Sequence, residues 1–487
     1  MTPDAIRAML SDPGLPLALA PLAALGLGAV ALLVACVLPV PRWVGGGIFL
    51  GSLTAALVFE LALLRAETPP GLVLDGTYLA DRTSALWGVL FLAATALAWL
   101  FSVHYYREDR PFKGEHDFLM LCAAAGMMLM AGAQDLIVFF VGLELLSIPL
   151  YALAAFRRAR TASVEAGVKY FLLGAFSAAF FLYGAALLYT ATGTVSLVEL
   201  KRIGVQTTLG TAGVALIAAS LFFKVSVFPF HLWVPDVYQG SPTPVTVLMA
   251  TGTKTAAFAF LLNAVFLLPA SAAATIAAVA LLTMAAGNLA ALVQGDVKRM
   301  LAFSAVAHAG TLLLVFAGAL KGDPDPGGPL QAALFYLAAY VFTAAGSFGL
   351  LAWLERDGEP STSLESLRGL ARRRPWAAAA MTLFLLSLGG IPATGGFLGK
   401  YLVFYVAIRA HLVAVAVAGI LLSVVALAYY LRVVVAMYMQ EPSAETVASP
   451  PVPGRQSAAP AAIAATACAV LVLAMGLLPG WFLDQLR

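Results

Sequence analysis

The chain has 487 residues, of which 62% are hydrophobic and only 11% are charged. A soluble domain carries about 25% charged residues, so most of this chain is predicted to lie in a lipid bilayer. The formal net charge of +3 is small and spread along the chain, which gives no support for nucleic-acid binding. We therefore expect an integral membrane protein that does not bind nucleic acid.

The sequence lacks the motifs of redox and nucleotide chemistry. Its three cysteines, Cys36, Cys122 and Cys468, lie far apart in apolar segments and predict no disulfide framework, zinc site or iron–sulfur cluster. No GxGxxG motif follows a strand pattern, and no P-loop is present. We expect no cofactor and no metal on this chain. Asp4 and Arg7 precede the first apolar segment without an AxA-like cleavage site, so we expect no removed signal peptide.

The predicted fold class is all-α and polytopic, with residues 1–487 forming a single membrane domain. A membrane helix needs about 20 apolar residues, and about fourteen such segments can be placed between charged residues, prolines and glycines. They are 15–37, 43–64, 83–105, 116–132, 135–156, 164–191, 208–235, 243–268, 271–294, 297–319, 330–354, 376–410, 412–440 and 459–484. Lysine and arginine are more numerous in the loops of one side, which predicts that both termini face the periplasm.

Several ionisable residues fall inside these segments, where each costs on the order of 2.5–3.5 kcal/mol. Among them are Lys169, Lys224, Lys254, Lys400, Glu144 and Glu165. Glu165 and Lys169 are one turn apart, so they form either a local surface pair or part of a relay. Glu144, Lys224 and Lys254 either fix helix packing as ion pairs or carry protons. Three such groups at mid-depth favour a proton relay, because burial brings their charged and neutral forms closer in free energy.

Two of the five histidines also fall at membrane depth. His231 follows Pro229 in FFKVSVFPFHLW and is seven residues after Lys224, which is two turns on one face if the helix continues. His308 lies in SAVAHAG. Histidine donates or accepts a proton near neutral pH, so each is either a satisfied core residue or a relay member.

Two of the predicted spans are too long for one straight helix. Residues 208–238 would extend about 46 Å and residues 376–410 about 52 Å, against a hydrocarbon core of about 30 Å. Helix breaks are predicted at Pro229 in the first, and at Gly390, Pro392 and Gly396 in the second. At this depth the freed backbone groups need partners from protein or a water-filled cavity.

The two breaks occupy matching positions in the chain. Three N-terminal helices (1–110) precede a block of five (116–268), and a second block of five (271–440) precedes the C-terminal helix (459–484). The fourth member of each block is interrupted, and since five is odd, the second block enters the membrane inverted. Inverted repeats with interrupted helices are typical of a transport site near the midplane.

Five long motifs carry a family resemblance. They are GLELLSIPLYALAAF, VEAGVKYFLLGAFSAAFFLYGAALLY, FKVSVFPFHLWVPDVYQGSPTPVTVLMATGTKTAAF, VKRMLAFSAVAHAG and GGIPATGGFLGKY. Over about residues 80–440, the chain resembles the antiporter-like, proton-conducting subunits of respiratory complex I, the bacterial NADH-quinone oxidoreductase. Within that family it is most similar to the N type.

The resemblance implies roles for individual residues. Glu144 matches a family glutamate that pairs with the lysine of an interrupted helix, here Lys224. Lys254 is similar to the lysine that links two half-channels, and Lys400 to the lysine near the exit. His231 and His308 match family histidines, and Glu165 and Lys169 match a polar pair.

The resemblance also implies function and partners. The chain is expected to be a non-redox subunit that couples electron transfer from NADH to quinone to proton translocation across a bacterial inner membrane. FMN, iron–sulfur clusters and quinone then belong to partner subunits, and membrane partners of the M, L, K, J, A and H types connect the chain to the redox arm. Alternatives are a subunit of a multi-subunit Na⁺/H⁺ antiporter or membrane-bound hydrogenase, a stand-alone permease, and a structural scaffold with fixed ion pairs.

Overall fold

The computed structural model describes residues 12, 14–38, 41–106, 114–323, 325, 327–355, 362–442 and 459–486. Asp4 and Arg7, which precede the first predicted span, lie outside these residues, as does most of the segment 441–458 between the last two predicted spans. The chain folds into two compact units. The first unit comprises Met1–Ala96, Pro111–Val225 and Gly252–Leu268. The second comprises Leu97–Arg110, Ser226–Thr251 and Pro269–Arg487.

In the described part of the N-terminal half, the regular elements are helices and one short hairpin. Its elements are α1 (Leu15–Val37), α2 (Arg42–Arg65), β1 (Gly71–Val73), β2 (Tyr78–Ala80), α3 (Arg82–Tyr105), α4 (Gly114–Gly132), α5 (Leu136–Ala154), α6 (Thr161–Thr192), α7 (Leu197–Ile203) and α8 (Thr208–Val225). The antiparallel hairpin pairs Gly71 with Ala80 and Val73 with Tyr78. Sequence analysis did not predict this hairpin, because three-residue strands leave little periodic signal.

The C-terminal half is also helical. Its elements are α9 (Trp233–Gly240), α10 (Thr243–Leu248), α11 (Lys254–Asn263), α12 (Ala273–Leu292), α13 (Val297–Lys321), α14 (Gly328–Leu354), α15 (Leu370–Arg373), α16 (Pro375–Gly389), α17 (Gly395–Arg409), α18 (Val413–Met439), α19 (Ala459–Leu477) and α20 (Pro479–Gln485). Short 3₁₀ turns cover Val265–Leu267, Ala270–Ala272 and Glu365–Leu367. The predicted span 459–484 is interrupted, since α19 ends at Leu477 and α20 begins at Pro479.

Within the described residues, twelve helices are long and apolar enough to cross a membrane. Helix α4, whose first turns carry Glu115 and Asp117, and the interrupted pair α16 and α17 are outside that set. The predicted all-helical membrane fold is confirmed, while the count of fourteen spans stays a prediction.

Close helix contacts are made by glycines. An added Cβ on Gly184 of α6 would lie 2.6 Å from the carbonyl oxygen of Gly213 on α8. In the second unit, a Cβ on Gly310 of α13 would lie 2.7 Å from the carbonyl oxygen of Ala280 on α12. Small residues drive this kind of packing in lipid, where burial of apolar surface supplies no force between helices.

Two helices begin at an aspartate that is held in the same way. The side chain of Asp135 accepts a 2.8 Å hydrogen bond from the N–H of Ile137 and caps α5, as expected for an N-cap aspartate. Asp135 also forms a β-bridge with Ser196. In the second unit, Asp296 caps α13 by accepting from the N–H of Arg299 at 2.7 Å. Asp296 forms a β-bridge with Ser363.

Candidate functional site

Lys224 lies at the point where α8 stops. Helix α8 ends at Val225, Ser226 has φ +69°, and regular helix resumes only at Trp233. Pro229 lies in this non-helical segment, where the preceding Phe228 donates its N–H to Thr283 Oγ1 at 3.1 Å. The freed backbone is thus partly satisfied by protein, as a break at membrane depth requires.

The Lys224 ammonium is enclosed by polar and aromatic groups of the first unit. The side chain is 4% exposed, and Nζ donates a 2.6 Å hydrogen bond to Ser147 Oγ on α5. Ser147 in turn donates to the carbonyl of Leu143. Nζ also lies 5.5 Å from the ring centroid of Tyr170 and 5.8 Å from that of Tyr151, within range of a cation–π interaction.

Glu144 lies beside Lys224 without bonding to it. Both residues line one small cavity of about 10 Å³ together with Ser147, Tyr151 and Ser220, which is close to the lower limit for one water molecule. Glu144 is half-buried, and no ion pair joins it to Lys224 among the residues that the structure describes. The family resemblance predicted this pair; the two charges interact electrostatically, while the hydrogen bond of Lys224 goes to Ser147.

A hydroxyl pair forms another wall of this cavity. Ser177 of α6 and Ser220 of α8 lie 3.0 Å apart between their Oγ atoms, and both line the cavity. An added Cβ on Gly174 would lie 2.0 Å from the Tyr151 hydroxyl, so the glycine leaves space for that group. The serines and tyrosines of this cavity could not be picked out from the sequence, because both residue types are common in membrane helices.

Glu165 and Lys169 form a pair on the exposed side of α6. Lys169 Nζ lies 2.7 Å from Glu165 Oε1, with side-chain exposures of 43% and 58%. The buried side of the same helix instead presents Tyr170 and Ser177. The local i,i+4 pair considered in the sequence is therefore present, and the structure does not bring it into the cavity.

Lys254 follows a wide turn of helix that the sequence did not predict. Residues Met249–Thr253 form a π-helix between α10 and α11, and Lys254 is the first residue of α11. Its side chain is almost fully buried. Such π-turns inside α-helices are frequent at functional sites, so the widened turn marks this lysine as a functional candidate.

Lys400 lies at the second break. Helix α16 ends at Gly389, Gly390 has φ +85°, and α17 begins at Gly395. Pro392 falls in the gap, whereas Gly396 lies in the first turn of α17, so its predicted place within the break is wrong. Lys400 Nζ donates a 3.1 Å hydrogen bond to the carbonyl of Gly389, and a cation is favourable at this helix C-terminus.

His308 belongs to a network of buried hydroxyls in the second unit. Its Nδ1 lies 2.5 Å from the Tyr336 hydroxyl and its Nε2 lies 3.5 Å from the Tyr430 hydroxyl. The Tyr430 hydroxyl is also hydrogen-bonded to Ser304. Sequence analysis found the histidine but not its partners, which come from α14 and α18.

His231 is buried in the non-helical segment before α9, where its ring centroid lies 5.6 Å from that of Phe228. The helix that contains Lys224 does not continue to His231. The condition under which the two residues would share one helical face is therefore not met. Among the described residues, His231 Nδ1 has no hydrogen-bond partner. Within the same part of the chain, no group of three or more His, Cys, Asp or Glu side chains is placed to hold a metal ion.

The region that contains these lysines matches a known family. The sequence profile described as NADH:quinone oxidoreductase/Mrp antiporter, TM, covers residues 133–426. The chain belongs to the NADH:quinone oxidoreductase/Mrp antiporter family. The family predicted from the motifs is thereby confirmed.

Individual members of the family agree over nearly the whole chain. NADH-quinone oxidoreductase subunit N 2 of Roseiflexus castenholzii is 41% identical, and the match covers 95% of this chain and 93% of that relative. A chain of respiratory complex I from Thermus thermophilus with bound aureothin is 38% identical, with a TM-score of 0.81 over 96% of this chain and 99% of that chain. A chain of the Mrp complex from Dietzia sp. has a TM-score of 0.82 at 23% identity, over 97% and 96% of the two chains, and shares the fold.

Proposed function

We propose that this chain is a proton-translocating, antiporter-like subunit of a bacterial NADH:quinone oxidoreductase. The name of the Roseiflexus relative and the complex I chain from Thermus thermophilus support this assignment. The chain acts without a redox centre of its own, and FMN, iron–sulfur clusters and quinone are held by partner subunits. It lies in the inner membrane with both termini on the periplasmic side.

The observation that carries the proposal is a buried lysine at each of two helix interruptions. Lys224 is at the end of α8 and Lys400 faces the end of α16. A buried lysine changes protonation more readily than a solvated one, and an interrupted helix leaves backbone groups that bind a transported ion or its water. Protons enter from the cytoplasm to Lys224, pass Lys254 and His308, and leave by way of Lys400.

Matched hydrogen bonds support the internal repeat of the two five-helix blocks. Leu136 N–H donates to Val195 at 3.0 Å, and Leu197 N–H donates to the Gln134 carbonyl at 2.8 Å. The second unit repeats this pattern: Val297 N–H donates to Thr362 at 2.8 Å, and Leu364 N–H donates to Gly295 at 2.9 Å. In each proposed repeat, the start of the second helix is thus tied to the segment after the third.

The partners proposed are M-, L-, K-, J-, A- and H-type membrane subunits, which connect this chain to the peripheral redox arm. A mild detergent preparation of the tagged chain tests this. Co-purification with flavin and iron–sulfur subunits and with inhibitor-sensitive NADH:quinone activity is expected. Recovery of antiporter-type membrane chains alone, with sodium-dependent transport and no NADH oxidation, would support the second candidate, a Na⁺/H⁺ antiporter subunit, whose fold this chain shares.

The proton path is tested in the purified complex reconstituted into vesicles. Lys224→Ala and Lys400→Ala are each expected to abolish the proton gradient formed during NADH oxidation. Lys201→Ala is the matched control, because Lys201 is exposed on α7. Wild-type proton pumping in both buried-lysine variants would contradict the proposal.

A further inference from the structure

Glu60 is a buried carboxyl group that the proton path described above does not use. It lies near the end of α2, five residues before Arg65, and is 5% exposed. An ionisable residue buried inside a membrane helix is a functional candidate by default, because its insertion is costly.

The neighbouring helix is shaped to accept this carboxyl group. An added Cβ on Gly88 of α3 would lie 2.3 Å from Glu60 Oε1 and 2.5 Å from Glu60 Cδ. No side chain larger than glycine fits there without displacing the carboxyl. Among the described residues, no hydrogen bond or ion pair joins Glu60 to another side chain. An unpaired, buried carboxylate is costly, and the neutral, protonated acid avoids that cost.

Glu60 also lies close to the hairpin that follows α2. Burial raises the pKa of the Tyr78 hydroxyl on β2, and a negative charge on nearby Glu60, when that group is ionised, or on Asp81 raises it further. Asp81 caps α3 by accepting a 2.7 Å hydrogen bond from the N–H of Ser84. Glu60 therefore lies within electrostatic reach of Tyr78, and Asp81 belongs to the same connection between α2 and α3.

The hairpin in turn contacts the connection that leads to α5. Tyr78 forms a β-bridge with Ala133, and Gln134 donates its N–H to the Thr77 carbonyl at 2.9 Å. An added Cβ on Gly132 would lie 2.4 Å from Cε2 of the Tyr78 ring. The hairpin is thus packed at the end of the membrane helices where Glu60 lies.

We propose that Glu60 is a further proton-binding group of this chain, which exchanges its proton with the aqueous surface at the end of α2, beside the hairpin that carries Tyr78. The proton-binding part of this proposal depends only on the Glu60 carboxyl group and the residues around it. The assignment of its exchange to the pumping cycle rests on the function proposed above.

Proton occupancy is tested by chemical labelling of the intact complex in membranes. A hydrophobic carbodiimide adds to protonated carboxyl groups in apolar surroundings and leaves a stable acylurea that mass spectrometry locates. We expect an adduct on the peptide that contains Glu60, and loss of that adduct in Glu60→Gln. Glu67 on the following loop is exposed and is the control carboxyl, on which no adduct is expected. Absence of the adduct at Glu60 would overturn the proposal.

Exchange during turnover is tested with the same variant. Glu60→Gln keeps the volume that fits against Gly88 but cannot release a proton, so we expect fewer protons pumped per NADH oxidised, with the complex still assembled. Gly88→Ala, which displaces the carboxyl while keeping Glu60, is expected to lower the same ratio. Glu67→Gln is expected to keep it.

A wild-type ratio in Glu60→Gln would overturn the role of Glu60 in turnover. That failure is distinct from failure of the proposed function. Pumping lost in Lys224→Ala but unchanged in Glu60→Gln would remove only the role of Glu60.

Discussion

Lys224 Nζ donates a 2.6 Å hydrogen bond to Ser147 Oγ, although Glu144 lies three residues before Ser147 on the same helix. Residues three apart lie on one face of a helix, so α5 presents two acceptors to the same ammonium group. In the structure the lysine is hydrogen-bonded to the neutral acceptor, Ser147. The cavity thus offers Lys224 a neutral partner and an acidic partner, which suits the proton transfer proposed above.

Replacement of Ser147 by alanine is expected to impair proton pumping. The variant removes the acceptor of Lys224, and a hydrogen bond to a charged group contributes about 1.5–3 kcal/mol. The measurement is the proton gradient formed per NADH oxidised in vesicles. Ser163→Ala is the control, because Ser163 is also buried and donates to the Ala154 carbonyl at 2.7 Å. Equal effects of the two variants would contradict a specific role of Ser147.

Replacement of Lys400 by methionine is expected to lower pumping. The apolar stem is retained, but the carbonyl of Gly389 loses its donor and the end of α16 loses its nearby cation. Pumping in vesicles is the measurement. Lys321→Met, at the exposed last residue of α13, is expected to leave pumping unchanged. Undiminished pumping in Lys400→Met would count against its role.

Replacement of Tyr336 by phenylalanine is expected to slow proton transfer while preserving packing. Only the hydroxyl that lies 2.5 Å from His308 Nδ1 is removed, so a hydrogen-bonded link is lost at a residue of unchanged shape. The initial rate of proton uptake after a pulse of NADH is the measurement. Tyr401→Phe is the control, since Tyr401 is 54% exposed. The prediction fails if the two variants pump at the same rate.

Replacement of Gly396 by alanine is expected to destabilise the second break. The new Cβ would lie 2.0 Å from the carbonyl oxygen of Ser387, so α16 and α17 must move apart, and overpacking of this kind typically costs about 1–3 kcal/mol. Gly51→Ala is the matched control, because nothing lies within 4 Å of a Cβ at that helical position. Thermal unfolding of the purified complex should separate the variants, and equal melting temperatures would refute the prediction.

The sequence by itself determined the membrane class, the helical fold and the positions at which lysines enter apolar segments. These properties follow from local chemistry, because the transfer of apolar residues into lipid and the backbone limits of proline and glycine need no distant partner. The family was likewise readable from long motifs around Lys224, Lys254 and Lys400. Local pattern also predicted the pair of Glu165 with Lys169, since four residues of helix fix that contact.

Only the tertiary structure decided which groups these side chains meet. Ser147 is 77 residues from Lys224 in the chain, and Gly88 becomes the neighbour of Glu60 only when α2 and α3 pack together. Nothing in the neighbouring sequence therefore predicts these contacts. They are the acceptor of Lys224, the hydroxyls around His308 and the glycine that packs against Glu60. A side chain's hydrogen-bond partner is set by the packing of remote helices, whereas its presence in the membrane is set by its own segment.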